Sequence, residues 1–194
     1  MTPEERVRRG GAVLAFDTNA IVRPGKEGRV SFERFMRCCD AANRLRKANK
    51  KLDVWVVVPA LVHFEVLHDL RVSRGAGFDP KQVNDALESK GVEIGAFDAA
   101  AAEGAAGVLH GWFPGNEQWR AEKKQNCLGA LGIGAAPGHG LATIDWPISA
   151  HGEASKWILV TGDKGAEFRR STLKVTATEA SELLDKLVVE RVGA

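Results

Sequence analysis

Hydrophobic positions along the chain alternate between short continuous runs and longer stretches with helical spacing. Val13-Leu14-Ala15-Phe16 is the first run, bounded by Gly10-Gly11 and by Asp17-Thr18-Asn19. Unbroken apolar residues of this length predict a strand covered on both faces, as in a parallel sheet. Val54-Trp55-Val56-Val57-Val58 before Pro59 and Trp157-Ile158-Leu159-Val160 before Thr161-Gly162-Asp163 repeat the pattern. Val92-Glu93-Ile94 predicts a short third strand, and Leu173-Lys174-Val175-Thr176 a final one.

Between these runs the spacing changes to that of helices. After a Pro- and Gly-containing loop from Arg23 to Arg29, Ser31 is expected to open a helix carrying Phe32, Phe35, Met36, Cys39, Ala42 and Leu45 on one face. Its end gathers Arg44, Arg46, Lys47, Lys50 and Lys51, a phosphate-contacting set or a solvated helix terminus. Pro59 at a first turn predicts a helix through Leu70, followed by a turn-rich link from Arg71 to Pro80 and a short helix over Lys81 to Glu88. The alanine-rich stretch from Phe97 to Leu109 and the segment from Glu179 to Val189 also read as helices. Strands alternating with helices make an α/β protein: a three-layer α/β/α sandwich on a central, mainly parallel sheet.

The 194 residues suffice for one core, so residues 1–194 are expected to form a single domain. An insertion is expected at about 111–140, where Trp112, Phe113, Trp119, Arg120, Lys123 and Lys124 precede a run of glycines. Interleaved aromatic and basic residues suit stacking on bases and phosphate binding, and equally suit a packed insertion or a partner surface. Its Gly132-x-Gly134 has Pro137 at the third fingerprint position and no preceding strand, so it is not a dinucleotide loop. A phosphate-binding G-x-x-x-x-G-K-[ST] is also absent from the sequence.

Composition adds modest constraints. Three cysteines, two of them adjacent, give neither a disulfide framework nor paired metal spacing, which predicts a reducing, cytoplasmic setting. No apolar run approaches membrane length, and the charged first ten residues do not resemble a signal peptide. The net charge is +2; if four acids gather in one pocket, the remaining surface carries roughly +6, which suits a polyanion handled through bound cations.

The candidate chemistry rests on those four acids. Asp17 and Asp163 each end an apolar strand, where ligands bind in open α/β sheets, although Asp17 also suits a helix cap. Glu65 lies one turn after Leu61 on an otherwise core-facing row, so it is either paired, metal-bound or exposed at the helix margin. Asp145 begins Asp145-Trp146-Pro147-Ile148, a helix start, as a cap or as a site residue. His63 and His68 do not share a face, and His63-Phe64-Glu65 lacks any P-C-x-x-C partner, so zinc is not indicated.

If the fold brings Asp17, Glu65, Asp145 and Asp163 together, their repulsion calls for a cation. Oxygen-only ligation predicts Mg2+ (or Mn2+), whose retained water is a nucleophile for a phosphodiester. Asn19 and Thr161 would orient carboxylates or waters, or serve local turns.

Four stretches in this order carry a resemblance: Phe16-Asp17-Thr18-Asn19, Pro59 through Glu65, Asp145 through Gly152, and Leu159 through Asp163. Together they resemble the PIN-domain nucleases, the group that includes the VapC-type toxin ribonucleases, over most of residues 12 to 176. The resemblance implies Asp17, Glu65, Asp145 and Asp163 as an acidic metal site and endonucleolytic cleavage of an RNA substrate. For VapC-type members it also implies a homodimer and a partner antitoxin. Trp146 and the insertion depart from that pattern, which weighs on the toxin role more than on the chemistry. A PIN-like RNA-processing, RNA-binding or interaction module is the alternative reading. A phosphatase of the haloacid dehalogenase type would need a second acid where Asn19 stands.

Overall fold

Five parallel strands in the order β3-β2-β1-β4-β5 form the centre of the computed structural model, which describes residues 1–22, 26–48, 53–114 and 145–192. They are β1 (Ala12–Phe16), β2 (Val54–Pro59), β3 (Val92–Gly95), β4 (Ile158–Val160) and β5 (Lys174–Val175). The helices of the described residues are α1 (Pro3–Arg8), α2 (Thr18–Ile21), α3 (Lys26–Ala48), α4 (Ala60–Arg74), α5 (Pro80–Ser89), α6 (Ala99–Trp112), α7 (Asp145–Ala154), α8 (Ala166–Arg169) and α9 (Ala177–Val192). A 3-10 turn, Gly75–Gly77, joins α4 to α5.

The continuous apolar runs become strands because both faces of the sheet are covered. Leu14, Ala15, Phe16, Val56, Val57, Val58 and all of β4 are buried, a burial that polar alternation would forbid. Helix α3 packs against α9 in one layer, and α6 packs against α7 in the other, completing the three-layer α/β/α sandwich. Phe16 meets Phe35 of α3 edge to face, with ring centroids 5.0 Å apart, pinning the first strand to its covering helix.

Element bounds differ from the sequence expectation at several points. Helix α3 begins at Lys26 rather than Ser31, inside the expected loop, and α4 continues to Arg74 through the expected link. The polar first turn of α3 and the end of α4 (Arg71 to Arg74) lack an apolar stripe, so periodicity alone could not find them. Helix α1 was not foreseen from composition. Thr2 caps it and Glu5 returns the hydrogen bond, the reciprocal T-x-x-E box. Gly10 and Gly11, both at positive φ, then turn the chain into β1. Most of the expected insertion, including Trp119, Arg120, Lys123, Lys124 and the glycine run, lies outside the described residues, as do Lys50 and Lys51.

Strand order decides where a site can form. From β1 the chain proceeds outward through β2 and β3, then returns to place β4 on the other side of β1. The reversal falls between β1 and β4, so their carboxyl ends border the crevice where open parallel sheets bind ligands. No helix of the described residues is long and apolar enough to cross a membrane.

Candidate acidic site

Asp17 is the first residue past β1, and its backbone N–H donates to the Val160 carbonyl at 3.0 Å, extending the β1–β4 ladder by one step. Extended φ and ψ of −80° and 160° make it the N-cap of α2, with its Oδ1 accepting from the Thr18 N–H at 2.8 Å. Asp17 thus caps a helix, and it stands at the carboxyl end of β1, beside the point where the strand order reverses. Its Oδ2 accepts from Asn19 Nδ2 at 2.7 Å and from the Thr161 hydroxyl at 2.8 Å.

Thr161 and Asn19 hold the two strand ends together. The Thr161 hydroxyl, while donating to Asp17, accepts from the Asp163 N–H at 3.0 Å. Asn19 Oδ1 accepts from the Gly162 N–H at 2.8 Å, crossing from the β1 end to the β4 end. Asp163 in turn accepts the Gly165 N–H on its Oδ1 at 2.7 Å. The pair expected either to orient carboxylates or to serve turns does both.

Glu65 reaches the site from α4, one residue away from Val66, which is buried. It is half-buried, and its Oε2 accepts a hydrogen bond from the Thr18 hydroxyl. Burial pushes its carboxyl up, and Asp69 adds to the rise, while Thr18 opposes both.

Asp145 stands at the start of α7, a helix fixed by its neighbour. Trp146 is 1 % exposed and meets Phe113 edge to face at 5.1 Å and Trp112 at 6.3 Å, so it fills the contact between α6 and α7. Arg170 lies over the Phe113 ring at 4.5 Å and donates to the Trp112 carbonyl at 3.1 Å, closing this aromatic cluster. The bulk that sets Trp146 apart from the family pattern is thus used in packing.

The acids feel one another. Burial pushes the Asp145 carboxyl up to about 7, and the charges of Asp17, Glu65, Glu167 and Asp163 add to the rise in that order. Asp17, 2 % exposed, is pushed up to about 6 by burial. Hydrogen bonds from Thr161 and Thr18 hold it down, and Glu65 and Asp163 push it further up. All four predicted acids, from α4, α7 and the segments just past β1 and β4, therefore share one electrostatic site.

Two contributors escaped the sequence reading. Thr18 bonds to two acids at once, through its N–H to Asp17 and its hydroxyl to Glu65. Glu167, 8 % exposed, is a fifth acid facing Asp145, and its carboxylate and that of Asp163 both lie against Gly165. The signal for Glu167 was its place four residues after Asp163, where the loop past β4 turns into α8. Ser149 secures this corner by donating to the Glu167 carbonyl at 2.7 Å, tying α7 to α8.

The donor set suits a hard divalent cation: oxygen ligands, partial burial, and in Asp17, Glu65 and Asp145 carboxyls raised by burial with neighbouring charge adding to it. Among the described residues no group of three His, Cys, Asp or Glu side chains is arranged to hold a metal ion. Magnesium requires less, since it keeps several waters and is bound through one or two carboxylates. The position two residues after Asp17, where a dehalogenase-type phosphatase needs an acid, holds Asn19 bonded to Asp17 itself. No family model matches the chain, and no curated protein matches its sequence.

Proposed function

We propose that the protein is a metal-dependent endoribonuclease that hydrolyses RNA phosphodiester bonds, of the PIN-domain type that its sequence resembles. The observation supporting this reading is that Asp17 and Asp145 are both raised, first by burial and then by the charges of acids that arrive from separate elements. Such a cluster opposes the folded state at neutral pH unless a cation compensates it, so stability does not account for it.

Asp17, Asp145 and Asp163, with Glu65, would hold Mg2+ or Mn2+. When bound, the ion would supply charge neutralisation at the scissile phosphate and a water acidic enough to serve as nucleophile. The protein's own residues fix the geometry. Thr161 and Asn19 present Asp17 with one oxygen committed to the strand junction and the other to the α2 cap. Thr18 keeps Glu65 turned toward the same crevice. Asp145, raised by burial and neighbouring acids in the metal-free protein, would be held ionised by the bound ion.

The test is cleavage of an end-labelled RNA by the purified chain in Mg2+ or Mn2+. We expect internal cuts that EDTA stops and that Asp17→Asn abolishes. Tight RNA binding by both proteins without cutting would favour the binding-module reading instead. A toxin role within this reading predicts growth arrest on expression of wild type and none with Asp17→Asn.

A further inference from the structure

Beside the acidic site, and independent of what it does, a cleft of about 470 Å³ opens between α2, α3, α4 and α5. Its walls are mainly apolar, with Phe35, Met36, Val66 and Leu70 among them, and its size falls in the range of about 300–1,000 Å³ typical of small-molecule sites. Along α4 the wall runs from His63 through Val66 and Leu70 to Arg74. At 1.5 Å per residue those ends stand about 16 Å apart.

Each end carries polar chemistry that the fold leaves unused. His63 Nε2 is buried with no hydrogen-bond partner among the described residues, an arrangement that costs desolvation without return. At the other end Arg74 is exposed and has no anionic partner among the described residues. Lys90 adds a second positive charge to the lining and reaches Asp40 only at 3.8 Å. Asp79, the acid of the lining, is engaged as the α5 cap through the Lys81 N–H at 2.9 Å.

We propose that this cleft binds an elongated amphiphilic carboxylate of the fatty-acid type. Its acidic head meets Arg74, its apolar chain lies along Leu70 and Val66, and a hydroxyl or carbonyl at its far end meets His63. A positively charged amphiphile of the same length is disfavoured by the same two cations.

Calorimetric titration of the full-length chain with dodecanoate, ω-hydroxydodecanoate and dodecylamine, each below its micelle concentration, tests this. We expect saturable binding of both carboxylates, with the hydroxylated one tighter by at least about fivefold. Arg74→Glu should weaken both by about tenfold or more, and His63→Leu should erase the difference between them. Ala86 is exposed on the rim, so Ala86→Trp should fill the cleft and block binding without touching the core. Binding of dodecylamine as tight as dodecanoate, or carboxylate binding unchanged in Ala86→Trp, would overturn the proposal. RNA cleavage plays no part in this readout, so failure here leaves the nuclease reading standing, and the reverse.

Discussion

The hydroxyl of Thr18 donates to Oε2 of Glu65, 47 positions further along the chain, while the same residue's N–H holds Asp17. One residue thus bridges two acids from different elements, one through its backbone and one through its side chain. Thr18→Val keeps the shape and removes the hydroxyl. Cleavage of labelled RNA should fall about 10- to 100-fold, the usual cost of losing a group that orients a ligand side chain, with thermal unfolding nearly unchanged. Full activity in this variant would remove Thr18 from the site.

Asp163→Asn should abolish metal-dependent cleavage and leave the fold intact. The asparagine Oδ1 can still accept the Gly165 N–H that Asp163 accepts at 2.7 Å, so the loop geometry survives. Circular dichroism matching wild type together with lost cleavage is the expected pair of results; undiminished turnover would count against the assignment.

The acidic cluster sets a pH dependence in metal-free protein. Asp17 and Asp145 are raised from 3.8 to about 6 and about 7, so the folded state binds protons more tightly than the unfolded one. Their contribution is therefore favourable below about pH 4 and is lost as pH rises through 6 to 7. Asp145→Asn removes part of that loss. In EDTA near pH 8 it should raise stability by about 2 kcal/mol, discounted for solvent screening, and bring little gain near pH 4. Thermal unfolding at both pH values decides this: a variant less stable than wild type near pH 8 would contradict the electrostatic picture.

Gly152 gives a test of how α7 is seated. A Cβ there would stand 2.6 Å from Leu159 Cδ2 and 2.8 Å from its Cγ, and Leu159 is buried in β4. Gly152→Ala should therefore destabilise by about 1–3 kcal/mol through overpacking, despite alanine's better helix propensity. Urea unfolding would show it as a lower midpoint with an unchanged slope.

The central strands were legible because β1, β2 and β4 are almost wholly buried, and Asp17 and Asp163 because β1 and β4 run directly into polar residues. In Phe16-Asp17 and Val160-Thr161-Gly162-Asp163 the burial pattern and the chemistry coincide. Thr18 was not legible, because a hydroxyl beside a capping aspartate has a local explanation that satisfies the sequence. Its bond to Glu65 exists only once α2 and α4 are side by side. Glu167 was hidden by the same limit: its burial comes from α7, whose Ser149 grips its carbonyl from outside its own segment. The early start of α3 was missed for another reason, since its first turn is polar and glycine-bearing and its helicity depends on the packing further along.

The sheet's two rims are unequal in length and both short: β5 spans Lys174–Val175 and β3 spans Val92–Gly95. A rim of two residues offers a foreign chain almost no row of unsatisfied amides to zip onto, and Lys174 would bring charge to any such pairing. Short rims and an edge lysine together leave the valine-rich interior a poor template for fibril growth.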